Sequence, residues 1–371
     1  MLFCELSQNL YALNGAATLV WCGLEDGLDD KEIVGAMISS GAPAAEAPGW
    51  YRQSLEMFAL RGLLEGTRPP PTPAVETDAF EGSGITEPMP VRARIHLRVF
   101  DSLIELELAE PESQAAIAAI FGRLLHNSQS REPDFVLGVG PVKGSWVVTR
   151  DGLVAARAHS LGELAGAIER GVMQLALRAA DYLMEFRAAL LSRADQGLLL
   201  AGPAGSGKTL IAAALMQGGW RFGSQEQVLF TPGEPKFRGA PKNLRLRPES
   251  WPQLTALYGE LGHAETYASP EGPVRYLVPR GEIAEDAVVT HVVLPRQRPG
   301  GTKPIAELSR PEGLQALFSN CASVSRSLAL GEVEALVDWS KTVSFHRLDF
   351  ADPGEAVDRL ERQFTICRQP Q

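Results

Sequence analysis

Gly202-Pro203-Ala204-Gly205-Ser206-Gly207-Lys208-Thr209 fits the pattern G-x-x-x-x-G-K-[ST] at every position. The run before it, Gly197-Leu198-Leu199-Leu200-Ala201, reads as a buried strand. Leu210 to Gln217 after it reads as a helix with apolar residues on one side. A phosphate-binding loop requires that strand-to-helix setting. Gly202, Gly205 and Gly207 let backbone amides turn inward around phosphate oxygens, and the helix N-terminus adds partial positive charge. Lys208 has the reach for β- and γ-phosphates, and the Thr209 hydroxyl is a candidate Mg²⁺ ligand. With Ser206 these residues form the expected binding set for a nucleoside triphosphate.

The surrounding chain is long and acidic. Its 371 residues allow two or three domains of ordinary size. A net charge of −10 argues against nucleic acid or an anionic membrane as a partner, because phosphate surfaces need a basic counterpart. No run approaches the roughly 18 apolar residues of a membrane span. The N-terminus lacks a basic region and a cleavage site, so a cytoplasmic protein is expected. Cys4, Cys22, Cys321 and Cys367 lie far apart without metal-ligand spacing and read as free thiols. His291, inside the apolar run Ala287–Leu294, reads as a packed strand residue.

Residues 67–90, opening Thr-Arg-Pro-Pro-Pro-Thr-Pro-Ala, form a proline-rich linker that sets residues 1–66 apart. That first module shows a short strand around Leu10–Leu13 and a helix after Asn14, a good N-cap. Further helices are expected over Asp29–Ser39 and from about Trp50 to Leu64. Three helices and a strand suggest a winged helix. Nine Asp/Glu against three Lys/Arg in residues 1–66 argue that it does not track DNA. The stretch Tyr11-Ala12-Leu13-Asn14-Gly15-Ala16-Ala17, then Val20-Trp21, an acidic turn and Glu32-Ile33-Val34, resembles a PqqD-type domain. That resemblance implies recognition of the leader segment of a ribosomally made precursor peptide, added as an extra strand. The residues themselves also allow a small helical module that only packs on the core.

Residues 91–186 read as an α+β middle region. Val91–Leu108 alternates in β fashion, Ser113–Leu125 and Ser160 to about Ala179 are helical, and Phe135–Val139 and Gly144–Val148 are strands. Residues 187–201 read as strand, tight turn at Ala194-Asp195-Gln196-Gly197, and strand. Later strands fall near Gln227–Thr231, Ala287–Leu294 and Thr342–Leu348, ahead of a last helix at Pro353–Gln363.

Most phosphate-loop proteins draw a metal-binding carboxylate from a strand ending in Asp. Here Ala287–Leu294 ends in Pro295-Arg296, and Asp349 follows a weaker strand. The stretch from Arg187 through the loop to Gly219-Trp220-Arg221-Phe222 and Val228-Leu229-Phe230 instead resembles the C-terminal domain of HPr serine kinase. It is similar in particular to HPr-kinase-related proteins of peptide maturation. Weaker similarity continues through Val292 to Gly300. The family carries a histidine where this chain has Arg187, 15 residues ahead of Gly202. It carries an Asp-Asp pair where this chain has Gln225 and Glu226. Gln225 can only hydrogen-bond; Glu226 retains a charge that can ligate Mg²⁺ or act as a base. Arg187 cannot accept a proton, but it can neutralise a transferring phosphoryl group.

The resemblance thus implies an α/β P-loop domain of HPr kinase type over 187–371. It follows an N-terminal winged-helix, PqqD-like domain and a divergent middle region. It implies ATP and Mg²⁺ as cofactors, Glu226, Arg187 and Lys208 as catalytic residues, and Thr209 with Glu226 as metal ligands. The expected function is phosphoryl transfer to a Ser or Thr of a leader-bound precursor peptide. The alternative is an ATP-binding scaffold that presents the peptide to a partner modifying enzyme. A homo-oligomer is also compatible with the family. Arg296 and Arg298, with Pro299-Gly300-Gly301 and Lys303, read equally as a phosphate-facing loop and as a solvated one. The basic residues Lys236, Arg238, Lys242, Arg245 and Arg247 within Pro235–Arg247 read first as a surface loop balancing nearby acids, and otherwise as a patch that faces nucleotide or an acidic peptide.

Overall fold

The structure is a computed structural model. It describes residues 2–4, 9–11, 13–64, 67, 89–127, 131–233, 235–269, 271–298, 300 and 304–366. The expected linker 67–90 lies almost wholly outside these, as do Cys367 and the Pro299, Gly301 and Lys303 positions. The chain divides into two compact units, residues 1–76 with 326–337, and residues 77–325 with 338–371.

The first unit opens with an antiparallel pair, Leu2–Cys4 and Asn9–Tyr11. Helix Gly15–Glu25 follows, and Asn14 caps it by accepting a 2.8 Å bond from the Ala17 amide. Helix Asp30–Ser39 starts from a full capping box between Asp29 and Glu32. The third helix spans Ala47–Leu60 rather than the expected Trp50–Leu64. Pro48 favours the earlier start. Gly62, at φ 68°, ends the helix in a left-handed turn, and the Leu63 amide bonds back to the Phe58 carbonyl at 2.9 Å. Val20, Ile33, Met37, Tyr51 and Phe58 form the core, with Trp21 edge-on to Phe58 at 5.2 Å.

The second unit holds two large sheets and a short antiparallel pair, Leu244–Leu246 with Arg275–Leu277. The first has five strands in chain order: Ala93–Val99, Ser102–Leu108, Phe135–Val142, Ser145–Arg150 and Leu153–Ala158. Only Ser102–Leu108 and Phe135–Val142 run parallel, joined across helix Ser113–Phe121. Lys143-Gly144 and Asp151-Gly152 turn the hairpins with both φ values positive, the geometry that matches strand twist. Helix Leu161–Ala179, capped by Ser160, buries Leu164, Ile168, Val172 and Leu175 in the core beneath this sheet.

The second sheet is organised by the long strand Met184–Arg193, which begins before Arg187. Its first half pairs with Gln227–Phe230 and Cys321–Val324, its second half with Gln196–Ala201 and Arg221–Ser224. Gln196–Ala201 runs parallel to Asp286–Gln297, which runs parallel to Ser344–Phe350. Gln227–Phe230 pairs with Lys236–Gly239, which pairs with the start of Asp286–Gln297, so the pairing path closes on itself. Helix Lys208–Gln217 packs between this sheet and helices Trp251–Leu257 and Pro353–Ile366, burying Leu210 through Met216. Arg193 donates to Glu361 at 2.8 and 2.5 Å, and the Trp220 indole donates to the same carboxylate at 2.8 Å, tying the last helix to the strand turn.

Candidate active site

The fully buried strand Gln196–Ala201 delivers the loop Gly202–Gly207 to the N-terminus of helix Lys208–Gln217. Gly205 and Gly207 take φ values of 79° and 93°, a region that disfavours side chains. A Cβ on Gly207 would also fall against the Phe350 ring. The Lys208 ammonium folds over the loop, donating to the Gly202 carbonyl at 2.5 Å and the Pro203 carbonyl at 3.0 Å. Burial lowers its pKa; Glu226 works against that shift and Arg187 reinforces it. The Ser206 hydroxyl is buried with no protein partner, an unspent polar group within the cradle.

Gln225 and Glu226 occupy the break between strands Arg221–Ser224 and Gln227–Phe230. Ser224 shapes this break, its hydroxyl donating to the Gln227 carbonyl at 2.7 Å. Gln225 is buried rather than solvated. Its amide donates to the Thr209 hydroxyl oxygen at 2.9 Å and to the Arg245 carbonyl at 2.8 Å. Its own oxygen accepts from the Arg245 amide at 2.8 Å. The two backbone bonds fix which end of the amide is nitrogen, so the group facing Thr209 is a donor. Glu226 is exposed, and its backbone carbonyl accepts from the Ala188 amide at 3.1 Å. Across the strands Arg187 stands opposite Gln227.

Arg187, Lys208 and Glu226 therefore line one cavity of about 1210 Å³, together with loop residues Gly202, Pro203 and Ala204. Glu185, Glu169 and Tyr276 also line it and were not singled out by the sequence. Glu185, two residues before Arg187 and on the same strand face, is buried and accepts from the Ser323 hydroxyl at 2.8 Å. Glu169 projects from helix Leu161–Ala179 and forms a 2.5 Å ion pair with Lys242. Arg245 and Tyr276 face each other across the short pair Leu244–Leu246 and Arg275–Leu277. Strand alternation was the available signal for Glu185; nothing local marks Glu169 or Tyr276.

The basic stretch Pro235–Arg247 divides. Lys242 and Arg245 enter the cavity, Arg238 is held by Asp101 at 2.7 and 2.9 Å, and Arg247 is paired with Glu271. Arg296 is the next-to-last residue of strand Asp286–Gln297, exposed like Arg298, and neither is among the cavity-lining residues. The strand beside the loop strand has no carboxylate at its carboxyl end. Asp349 lies one strand further over, within Ser344–Phe350. His291 is buried in the sheet, stacked 4.4 Å from Phe364.

Among the described residues no group of three His, Cys, Asp or Glu side chains gathers as a metal site. Mg²⁺ takes oxygen donors; the Thr209 hydroxyl, bonded to Gln225, and the cavity-lining Glu226 carboxylate are oxygen groups of that type. Among the described residues no helix is long and apolar enough to cross a membrane.

No protein-family model matches the chain, and no curated protein matches it. Among solved structures 32 chains match. One is the HPr(Ser) kinase/phosphatase from Coxiella burnetii, at 12% identity, covering 49% of this chain and 93% of that chain with a TM-score of 0.23. The fold of the present chain is mixed α/β with two main sheets.

Proposed function

We propose that this chain binds ATP with Mg²⁺ on the 202–209 loop and transfers the γ-phosphoryl group to a Ser or Thr hydroxyl of a precursor peptide. The observation that supports it is the convergence of Lys208, Arg187 and Glu226 in one cavity with room for a nucleotide and an acceptor segment. Bound Mg²⁺ would draw charge from the β- and γ-phosphates. Glu226 would take the acceptor proton as the new oxygen–phosphorus bond forms and the bond to ADP breaks, which leaves Thr209, phosphate oxygens and water to hold the ion. Arg187 and Lys208 would offset the charge spread over the transferring oxygens. Glu226 lines the same cavity as Lys208 and Lys242.

The first unit would hold the leader segment, raising the local concentration of the acceptor. Incubation with ATP, Mg²⁺ and a precursor peptide, followed by peptide mass measurement, tests the reading. A phosphate-sized gain that disappears in Lys208→Ala and Glu226→Gln supports it. An unchanged peptide despite tight ATP binding refutes transfer and leaves the scaffold role. Residues 1–66 of the full chain would be tested by leader-peptide competition against that reaction.

A further inference from the structure

The cavity carries more cationic capacity than the phosphate loop uses. Its acids are largely committed: Glu169 to Lys242, Glu271 to Arg247 and Arg245, Glu185 to Ser323 and Gln227. Arg170 is exposed and has no ion-pair partner among the described residues. Arg245 donates through one terminal nitrogen to the Ser269 hydroxyl at 2.9 Å, yet its Nε–H is buried without a partner. A buried, unmet guanidinium donor is costly unless a ligand completes it.

Arg245 is also held unusually firmly. Its backbone N–H and C=O both bond to Gln225, so neither points toward Tyr276. Arg245 and Tyr276 are therefore a non-hydrogen-bonded antiparallel pair, the kind that brings side chains closest together. Burial first, and Glu169 next, raise the Tyr276 pKa and keep its phenol a neutral donor. Glu169, Arg170, Arg245 and Tyr276 all line the same cavity. Glu226 and Lys208 line that cavity too, so the group and the phosphate loop open onto one space.

We propose that Arg245, Arg170 and Tyr276 form an anion subsite that takes a carboxylate side chain of the acceptor peptide, beside its reacting hydroxyl. This rests on the kinase reading for the word acceptor, not for the binding itself. Lys242 is spent on Glu169, and Arg245 shares Glu271 with Arg247. What remains for a ligand is Arg170, the unmet Arg245 Nε–H and the Tyr276 phenol, donors that suit a singly charged carboxylate.

The test uses the full chain and three synthetic peptides of equal length, each with one central Ser flanked by Asp, Ala or Lys. Peptide affinity is measured on the ATP-loaded protein, with ATP affinity recorded for every variant as evidence of folding. The Asp peptide is expected to bind at least about tenfold tighter than the Lys peptide, the effect of one direct charge-assisted contact. Arg245→Ala and Arg170→Ala are each expected to shrink that preference to below about threefold, and Arg170→Glu to shift it toward the Lys peptide. Equal binding of all three peptides, or a preference that survives both substitutions, overturns the subsite. Transfer to all three at equal rates would leave the kinase reading standing while the subsite falls. Preferential binding of the Asp peptide without transfer would do the reverse.

Discussion

Replacing Gln225 by alanine would separate the two halves of the site. The side chain is 9% exposed and makes three hydrogen bonds of 2.8 to 2.9 Å, two to the Arg245 backbone and one to the Thr209 hydroxyl. Truncation leaves a backbone N–H and C=O unpaired, each worth about 1–3 kcal/mol when it stays dry. Water reaching the cavity side would recover part of this, so a net loss of about 2–4 kcal/mol is expected. In a unit of this size that corresponds to a fall in Tm of roughly 4–8 °C. The Thr209 hydroxyl would also lose its orienting partner, and ATP affinity in Mg²⁺ should weaken about tenfold, or about 1.4 kcal/mol. Thermal melts and calorimetric ATP titration measure both quantities. Gln225→Glu gives a contrast: a carboxylate still accepts from the Arg245 amide but repels its carbonyl, so it should destabilise while sharpening Mg²⁺ dependence. A Gln225→Ala protein that melts within about 1 °C of wild type and binds ATP equally well would refute the clamp.

Other expectations follow from the same geometry. Gly207→Ala meets both a φ of 93° and the Phe350 ring, so ATP affinity should fall at least about tenfold, checked by titration alongside circular dichroism. Lys242→Met strands Glu169 in a buried site and should cost about 3–5 kcal/mol in urea unfolding, most of it regained in the double variant Lys242→Met/Glu169→Leu. Burial, and then the neighbouring His346, push His291 down to about 4, and burial lowers His346 too. The unfolded imidazoles bind protons near pH 6.5, so the folded state is favoured above that pH and loses stability as pH falls from about 6.5 to 4. For His291 the loss should reach about 3 kcal/mol, and His291→Leu should flatten the acid limb of a Tm-against-pH curve.

Several elements were legible because their signals are local. Asn14, the Asp29–Glu32 pair and Ser160 cap their helices through residues two to three positions away. The alternation of 91–108 became a hairpin for the same reason. The short strands Leu153–Ala158 and Cys321–Val324 escaped notice, since their pairing partners supply what their own sequences lack. The helix expected to reach Leu125 stops at Phe121, where a Cβ on Gly122 would press on Asn243 and on the Ala118 carbonyl.

The phosphate loop was determined by sequence alone, because eight contiguous residues carry both its backbone turns and its cation. The spacing to Arg187, Gln225 and Glu226 was legible too, as positions along strands. What only the tertiary structure decided is their company. Glu169, the Lys242–Arg245 stretch and Tyr276 come from three separate segments, and their convergence depends on strand register and on a helix that lines the cavity. Gln225 changes meaning by the same route. Along the chain it is an amide standing where a carboxylate is expected. In the fold its two ends are pinned by the backbone of a residue 20 positions away, and that pinning turns a donor toward Thr209.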